Sequence, residues 1–130
     1  YCAKELILFP RQTCPEHHHP DAIGSNGKME TFRCRWGCVW LYVEGEPTPG
    51  RSGRPPVGSE AYYTVFHELT LNPGEQFTIP PGALHWFQAG EEGTLLERLR
   101  GGFSQARAFK PEASRSESRE VYLLGFGRKA

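Results

Sequence analysis

Residues 74–85, which read GEQFTIPPGALH, decide the fold of this chain. A short, partly apolar segment at residues 75–79 is followed by Pro80, Pro81 and Gly82, and a second apolar segment begins at residue 83. Proline and glycine favour a tight turn at this point, and the flanking segments have the length and composition of strands. The stretch therefore predicts two β-strands joined by a turn, with His85 near the start of the second strand.

The same pattern of short apolar segments and turn residues continues along most of the chain. Strands are predicted at residues 2–9, 29–35, 39–44, 61–71, 75–79, 83–88 and 94–99. Residues 36–38, 72–74 and 90–93 predict turns, and residues 45–60 predict a long surface loop, either a lid or a solvated insertion. Residues 6–9 are apolar on both faces, which predicts burial on both sides of the first strand. Short strands without a helical period favour an all-β sandwich or barrel.

Composition and charge exclude several classes of protein. The 15 basic and 15 acidic residues cancel, so no overall positive charge would attract nucleic acid or an anionic membrane. No apolar segment approaches the roughly 20 residues that span a bilayer, and no secretion leader is visible, which predicts a cytoplasmic protein. Four irregularly spaced cysteines predict reduced thiols, with a Cys2–Cys14 or Cys34–Cys38 bridge as the alternative.

The charges are unevenly distributed along the chain. Residues 1–97 carry 7 basic and 12 acidic side chains, whereas residues 98–130 carry 8 basic and 3 acidic ones. We therefore expect one folded domain at residues 1–99 and a basic tail at residues 100–130. No strand pattern is visible at residues 101–110, and one short strand is possible at residues 121–124. Because a strand-like segment follows Tyr1 at once, we expect this sequence to lack an N-terminal segment.

Three consecutive histidines, His17, His18 and His19, lie between two prolines. On an extended backbone alternate side chains share a face, so His17 and His19 can point the same way while His18 points the opposite way. Two imidazoles on one face are a potential pair of metal ligands. The alternative interpretation is a solvated polar loop.

Two spacings resemble the sequence motifs of the cupin superfamily. They are Glu30-x6-Gly37 and Gly74-x5-Pro80-x-Gly82-x2-His85. The resemblance implies a cupin-type antiparallel β-barrel, or jelly roll. It also implies four ligands for one divalent metal inside the barrel: His17, His19, Glu30 and His85. Three imidazoles and a carboxylate suit Mn²⁺, Fe²⁺, Co²⁺, Ni²⁺ or Zn²⁺, and a barrel that has lost its metal is the alternative.

Longer segments are similar to the D-lyxose isomerase family within that superfamily. The similarity is carried by residues 1–6, 12–20, 27–35, 41–45 and 78–93, and it covers about residues 1–97. It implies an intracellular aldose–ketose isomerase that interconverts D-lyxose and D-xylulose, and often D-mannose and D-fructose, with Mn²⁺ as the usual metal. A small sugar is then the expected partner, and a homodimer is the expected assembly.

Two further residues are candidates for moving protons. Isomerisation transfers hydrogen between C1 and C2 of the open-chain sugar, and a divalent cation would stabilise the enediol that forms. Lys28 lies two residues before Glu30, so on a strand both side chains would point into the same space. Glu97 is predicted to face the barrel interior, and by resemblance to cupin isomerases it is the candidate base. The alternatives are a lysine in solvent and an exposed glutamate at a strand end.

Two other functions fit the same ligands. A non-catalytic cupin could bind a sugar or a metal as a sensor, and a cupin dioxygenase could use Fe²⁺ and O₂. Neither function needs the proposed pair of Lys28 and Glu97. These two residues therefore distinguish the isomerase from its alternatives.

Overall fold

The computed structural model describes residues 2–20, 27–100, 103–109 and 122–128. Within them the secondary structure consists of one short 3₁₀ turn, Glu60–Tyr62, and the following strands: β1 Cys2–Leu8, β2 Thr13–His17, β3 Glu30–Val43, β4 His67–Leu71, β5 Gln76–Ile79, β6 His85–Arg100, β7 Phe103–Phe109 and β8 Tyr122–Arg128. All ladders between these strands are antiparallel. The predicted all-β class is therefore confirmed. Among the described residues no helix has the length and hydrophobicity needed to cross a membrane.

β6 is the central strand of an eight-stranded sheet. The strand order is β4-β3-β6-β1-β8-β7, with β2 also paired to β6 and β5 also paired to β3. β3 and β6 are 14 and 16 residues long and pair along most of their length, from Glu30 opposite Arg100 to Val43 opposite His85. Glu30 and His85 thus lie at opposite ends of one ladder, yet their side chains approach to 3.6 Å. An extended strand of this length would span roughly 45 Å, so the ladder must curl into a barrel to bring its ends together.

The turns predicted at residues 36–38 and 90–93 are wrong, because β3 and β6 run through both. Instead, the register of the β3–β6 ladder shifts on either side of Gly37. This irregularity is a β-bulge. Gly37 has a φ of 72°, and a β-carbon there would clash with the carbonyl oxygen of Gly93. The glycines that suggested turns are therefore the points at which two long strands bend and approach closely.

Other boundaries also differ from the prediction. The strand expected at residues 61–71 begins only at His67, because the 3₁₀ turn occupies its start. β2 and β7 were not predicted as strands, whereas the strand expected at residues 121–124 corresponds to the longer β8. The three cysteines whose side chains are described, Cys14, Cys34 and Cys38, are free thiols, as predicted; the side chain of Cys2 lies outside the described part.

The core consists of two clusters on opposite faces of β3 and β6, since Leu41 and Phe87 belong to one cluster and their neighbours Tyr42 and Trp86 to the other. The larger one contains apolar side chains of β3, β4, β5 and β6, with Leu6 and Leu8 of β1 packed against it. The smaller one is aromatic: Trp86 stacks on Tyr42 with 3.9 Å between ring centroids and meets Tyr63 edge-on. Ile7 and Phe9 are 60% and 68% exposed, so the prediction that the first strand is buried on both faces is wrong.

The long loop at residues 45–60 is fastened to the barrel through Glu68 of β4. Its carboxylate accepts hydrogen bonds from the Tyr42 hydroxyl at 2.6 Å and from the Ser52 amide at 2.6 Å and hydroxyl at 2.9 Å. The Gly53 amide in turn donates to the Tyr42 oxygen at 2.6 Å. Burial alone would raise the pKa of Glu68, but these hydrogen bonds outweigh it and hold the pKa below its usual value.

We expect Glu68→Gln to destabilise the protein by about 1–2 kcal/mol at pH 7, since charged hydrogen-bond acceptors contribute more than neutral ones. A carboxyl group with a depressed pKa stabilises the fold above its unfolded-state pKa, near 4.5, and this contribution is lost as pH falls further. The difference between parent and variant should therefore shrink below about pH 4.5, as measured by urea unfolding at pH 7 and pH 3.5. Glu46→Gln, at an exposed position of the same loop, is the control; equal effects of both variants would contradict the role of Glu68.

Candidate metal centre

Three strands bring the four predicted ligands together. His17 is the last residue of β2, His19 follows it, Glu30 is the first residue of β3, and His85 is the first residue of β6. His17 and His85 are directly opposite each other in the β2–β6 ladder. The carbonyl oxygen of His19 accepts a hydrogen bond from the Gly82 amide at 3.2 Å, which ties the histidine segment to the turn before β6.

The four side chains form a compact cluster. One ligand atom of each lies within 4.8 Å of those of the others. Oε2 of Glu30 is 3.1 Å from Nε2 of His19 and 3.6 Å from Nε2 of His85. The ring centroids of His17 and His85 are 4.3 Å apart. Glu30 and His85 are fully buried, whereas His18 is exposed, as predicted.

The histidine rings are oriented by backbone carbonyls. Nδ1 of His17 lies 2.8 Å from the carbonyl oxygen of Pro15, and Nδ1 of His85 lies 3.0 Å from that of Ala83. A carbonyl oxygen can only accept, so Nδ1 carries the hydrogen in both rings and the lone pair remains on Nε2. This is the arrangement in which an imidazole is held ready to bind a metal through Nε2.

Burial and protonation both fit a metal ligand set. Burial is the main reason that the pKa of His17 lies below its usual value, which keeps the imidazole neutral at neutral pH. Nε2 of His19 and Nε2 of His85 are buried, and neither has a hydrogen bond of acceptable geometry within the described part of the chain. Such buried polar atoms are costly unless another partner binds them. Three imidazoles and a carboxylate fit a divalent first-row metal.

Arg98 is a neighbour of the cluster that the sequence analysis missed. Its Nη1 lies 3.9 Å from Oε1 of Glu30, on the side of the carboxylate away from the histidines. Leu96, two residues earlier, is fully buried in the core. Because alternate strand residues share a face, Leu96 indicates that Arg98 also points inward. Leu95 and Leu96 are both apolar, so the sequence alone contains no signal that distinguishes the face of Arg98 from that of Glu97.

Glu97 is buried, with 3% of its surface exposed, so it is not the exposed strand-end glutamate of the alternative interpretation. It lies opposite Arg33 and Glu5 in the neighbouring strands and forms an ion pair with Arg35. Because alternate strand residues share a face, Leu96 and Arg98 lie on the face of β6 that packs in the larger core cluster, and Glu97 lies on the other face. Its role as the base stays a prediction.

Lys28 is exposed and lies two residues before the start of β3. Its role stays a prediction.

The fold and part of the sequence have known relatives. The D-lyxose ketol-isomerase of Cohnella laeviribosi is 69% identical over 99 residues, which are 76% of this chain and 54% of that protein. The chain thus spans about half the length of the curated relatives it matches. The crystal structure of the L-ribose isomerase of Acinetobacter sp. DL28 is similar in fold, with a TM-score of 0.60 at 21% identity over 80% of this chain and 49% of that one.

A second likeness involves the end of the chain. The family model described as FtsJ-like methyltransferase matches residues 65–128, which is slightly less than half of the chain. The ribosomal RNA large subunit methyltransferase E of Acidiphilium cryptum is 44% identical over 62 residues, which are 46% of this chain and 28% of that protein. The residues matched by the methyltransferase family model include β4, β5 and β6. In this structure these three strands form antiparallel ladders of the barrel.

The antiparallel barrel and the long match at 69% identity agree with each other and with the spacing of the four clustered side chains. The matched part of the chain is thus closely similar to D-lyxose ketol-isomerases, and the chain adopts a cupin-type barrel fold.

Proposed function

We propose that this chain carries the metal centre of an aldose–ketose isomerase that interconverts D-lyxose and D-xylulose. The observation that supports it most is the cluster of His17, His19, Glu30 and His85, in a sequence closely similar to a D-lyxose ketol-isomerase. The proposal concerns a chain that is about half as long as that relative. The predicted homodimer stays a prediction.

The residues of the cluster have separate tasks. The three histidines and Glu30 would hold one divalent cation, with Mn²⁺ as the first candidate. Bound there, such a cation supplies polarisation of a sugar carbonyl and stabilises negative charge on the sugar oxygens. Arg98 places a positive charge 3.9 Å from Oε1 of Glu30, and Oε2 of the same carboxylate approaches His19 and His85. Full burial of Glu30 and His85 excludes water and strengthens these interactions.

The reaction also needs a group that moves protons between the sugar carbons and oxygens. Glu97, the predicted base, is buried and paired with Arg35 on the face of β6 that does not carry Leu96, so it is the less favoured candidate for this step. Lys28 remains the favoured candidate within this chain. Lys28 is exposed and precedes Glu30 by two residues.

We expect Lys28→Met to retain metal and to lower kcat by about 10²-fold, which is the lower end of the usual contribution of an acid–base group. Metal content and the rate with D-lyxose should be measured on the same preparation. Arg54→Met, at an exposed basic residue of the loop at residues 45–60, is the control. A kcat equal to that of the parent would remove Lys28 from the mechanism.

Metal depletion and reloading test the proposed function. The chain should be treated with a chelator, reloaded with Mn²⁺, Co²⁺, Zn²⁺ or Fe²⁺, and assayed for ketose formation from D-lyxose and from D-mannose. Ketose formation only after reloading is the expected result. Bound metal without ketose formation would favour a non-catalytic cupin, and O₂ consumption with Fe²⁺ would favour a dioxygenase.

The route of hydrogen transfer can be measured in the same assay. An enediol route exposes the transferred proton to solvent, so deuterium from D₂O should enter the product carbon. Early product without deuterium would favour a hydride shift, unless the proton is returned without exchange.

A further inference from the structure

The β2–β6 ladder, in which His17 and His85 are paired, has an irregularity immediately before that pair. β2 and β6 pair at Cys14 opposite Phe87 and again at His17 opposite His85, with a shift of register between them. Two residues of β2, Pro15 and Glu16, therefore oppose one residue of β6, Trp86. Proline has no amide hydrogen to donate, so the backbone contributes little to the alignment of the strands at this point.

A side chain next to His17 replaces the missing backbone contacts. Oε2 of Glu16 accepts hydrogen bonds from the amides of Thr64 at 2.6 Å and Val65 at 3.0 Å, and Oε1 accepts from the Thr64 hydroxyl at 2.7 Å. All three donors belong to the segment between the 3₁₀ turn and β4. A carboxylate with three such donors forms strong, directional hydrogen bonds, so β2 is held firmly to this segment.

The same segment is also held by the residue that follows His85. The indole Nε1 of Trp86 donates a hydrogen bond to the carbonyl oxygen of Val65 at 2.7 Å. Trp86 is fully buried between aromatic neighbours, so its ring has little freedom to move. The amide of Val65 thus binds β2, and its carbonyl binds β6, across the point where the ladder is interrupted.

We infer that Glu16 is a positioning residue for the candidate metal centre. Through Val65 and Trp86 it fixes the end of β2 against the start of β6, so that the rings of His17 and His85 keep their 4.3 Å separation. Glu16 itself is not a ligand, because its carboxylate is engaged with Thr64 and Val65. The inference rests on the proposed function in one respect, which is that the aligned histidines bind a metal.

Substitution of Glu16 tests the inference through metal binding. We expect Glu16→Ala to weaken Co²⁺ affinity about 10–100-fold, which is the usual cost of losing an outer partner of a ligand. The visible absorption spectrum of bound Co²⁺ should change as well, because it reports ligand geometry. Glu16→Gln retains one acceptor oxygen and should give an intermediate loss.

Glu75→Ala is the matched control. Glu75 also accepts a backbone hydrogen bond, from the Asn72 amide at 2.7 Å, but it does so in the turn between β4 and β5. If both alanine variants lose stability in urea while only Glu16→Ala loses Co²⁺ affinity, the positioning role is supported. An unchanged affinity and spectrum in Glu16→Ala would overturn it.

A measurement without metal separates this inference from the proposed function. In metal-free protein the imidazole NMR signals of His17 should shift or broaden in Glu16→Ala and stay unchanged in Glu75→Ala. If the parent binds no metal, the proposed function fails, but altered His17 signals would still support the alignment by Glu16. Unaltered signals would overturn that alignment, whether or not a metal binds.

Discussion

Replacing His85 by alanine is expected to leave the protein unable to retain a divalent metal through dialysis. His85 is fully buried, its Nε2 lies 3.6 Å from Glu30, and a backbone carbonyl orients its ring. Loss of one of four ligands should cost more than the about 10–100-fold in affinity that loss of an outer partner costs. Elemental analysis of dialysed protein and a chelator competition would measure the effect, and isomerase activity should disappear with the metal.

His18→Ala is the natural control for this experiment, because His18 is exposed and lies between two of the proposed ligands. It should retain metal and activity at the level of the parent. His17→Ala offers a second test at a half-buried position, in case the loss of the buried His85 ring impairs folding. Retention of metal by both His85→Ala and His17→Ala would exclude the proposed ligand set.

Replacing Trp86 by alanine is expected to cause the largest loss of stability, about 3–5 kcal/mol. The substitution removes a fully buried ring that stacks on Tyr42, and it leaves the carbonyl oxygen of Val65 without its donor. Because proteins of this size are stable by only about 5–15 kcal/mol, a substantial fraction of the variant could be unfolded at 37 °C. Urea unfolding followed by circular dichroism would measure the change.

Trp36→Ala is the matched substitution at the surface. Trp36 is 53% exposed, so its removal should change the free energy of unfolding by only about 0.5 kcal/mol. A similar loss in both variants would mean that the aromatic cluster around Trp86 does not stabilise the barrel as described.

The sequence predicted the all-β class from local patterns, and it predicted the four clustered side chains through the resemblance to the cupin motifs. Alternation along an extended chain is enough to place His17 and His19 on one face and His18 on the other. The motif spacings then pointed to Glu30 and His85. Their proximity could not be derived from local patterns, because they lie at opposite ends of the β3–β6 ladder and meet only when the sheet curls.

The errors have a common physical origin in long-range pairing. Gly37 and Gly93 have the local character of turns, but β3 and β6 continue through them because each strand pairs with the other on both sides. Glu97 was expected on the face of β6 that packs in the larger core cluster, because alternation alone does not say whether Leu95 or Leu96 points to that core. Packing of Leu96 in the core decides this, and with it the inward position of Arg98.

The central place of β6 in the sheet has a consequence for folding during synthesis. β1, β2 and β3 all pair with β6, yet they are made well before residue 85 leaves the ribosome. Sheets that depend on partners so distant along the chain fold slowly, since a long loop must close before the pairing is gained. The apolar faces of the first strands therefore stay uncovered until late in translation. Aggregation of nascent chains should compete with folding at this stage, and expression at lower temperature or with added chaperones should raise the yield of folded protein.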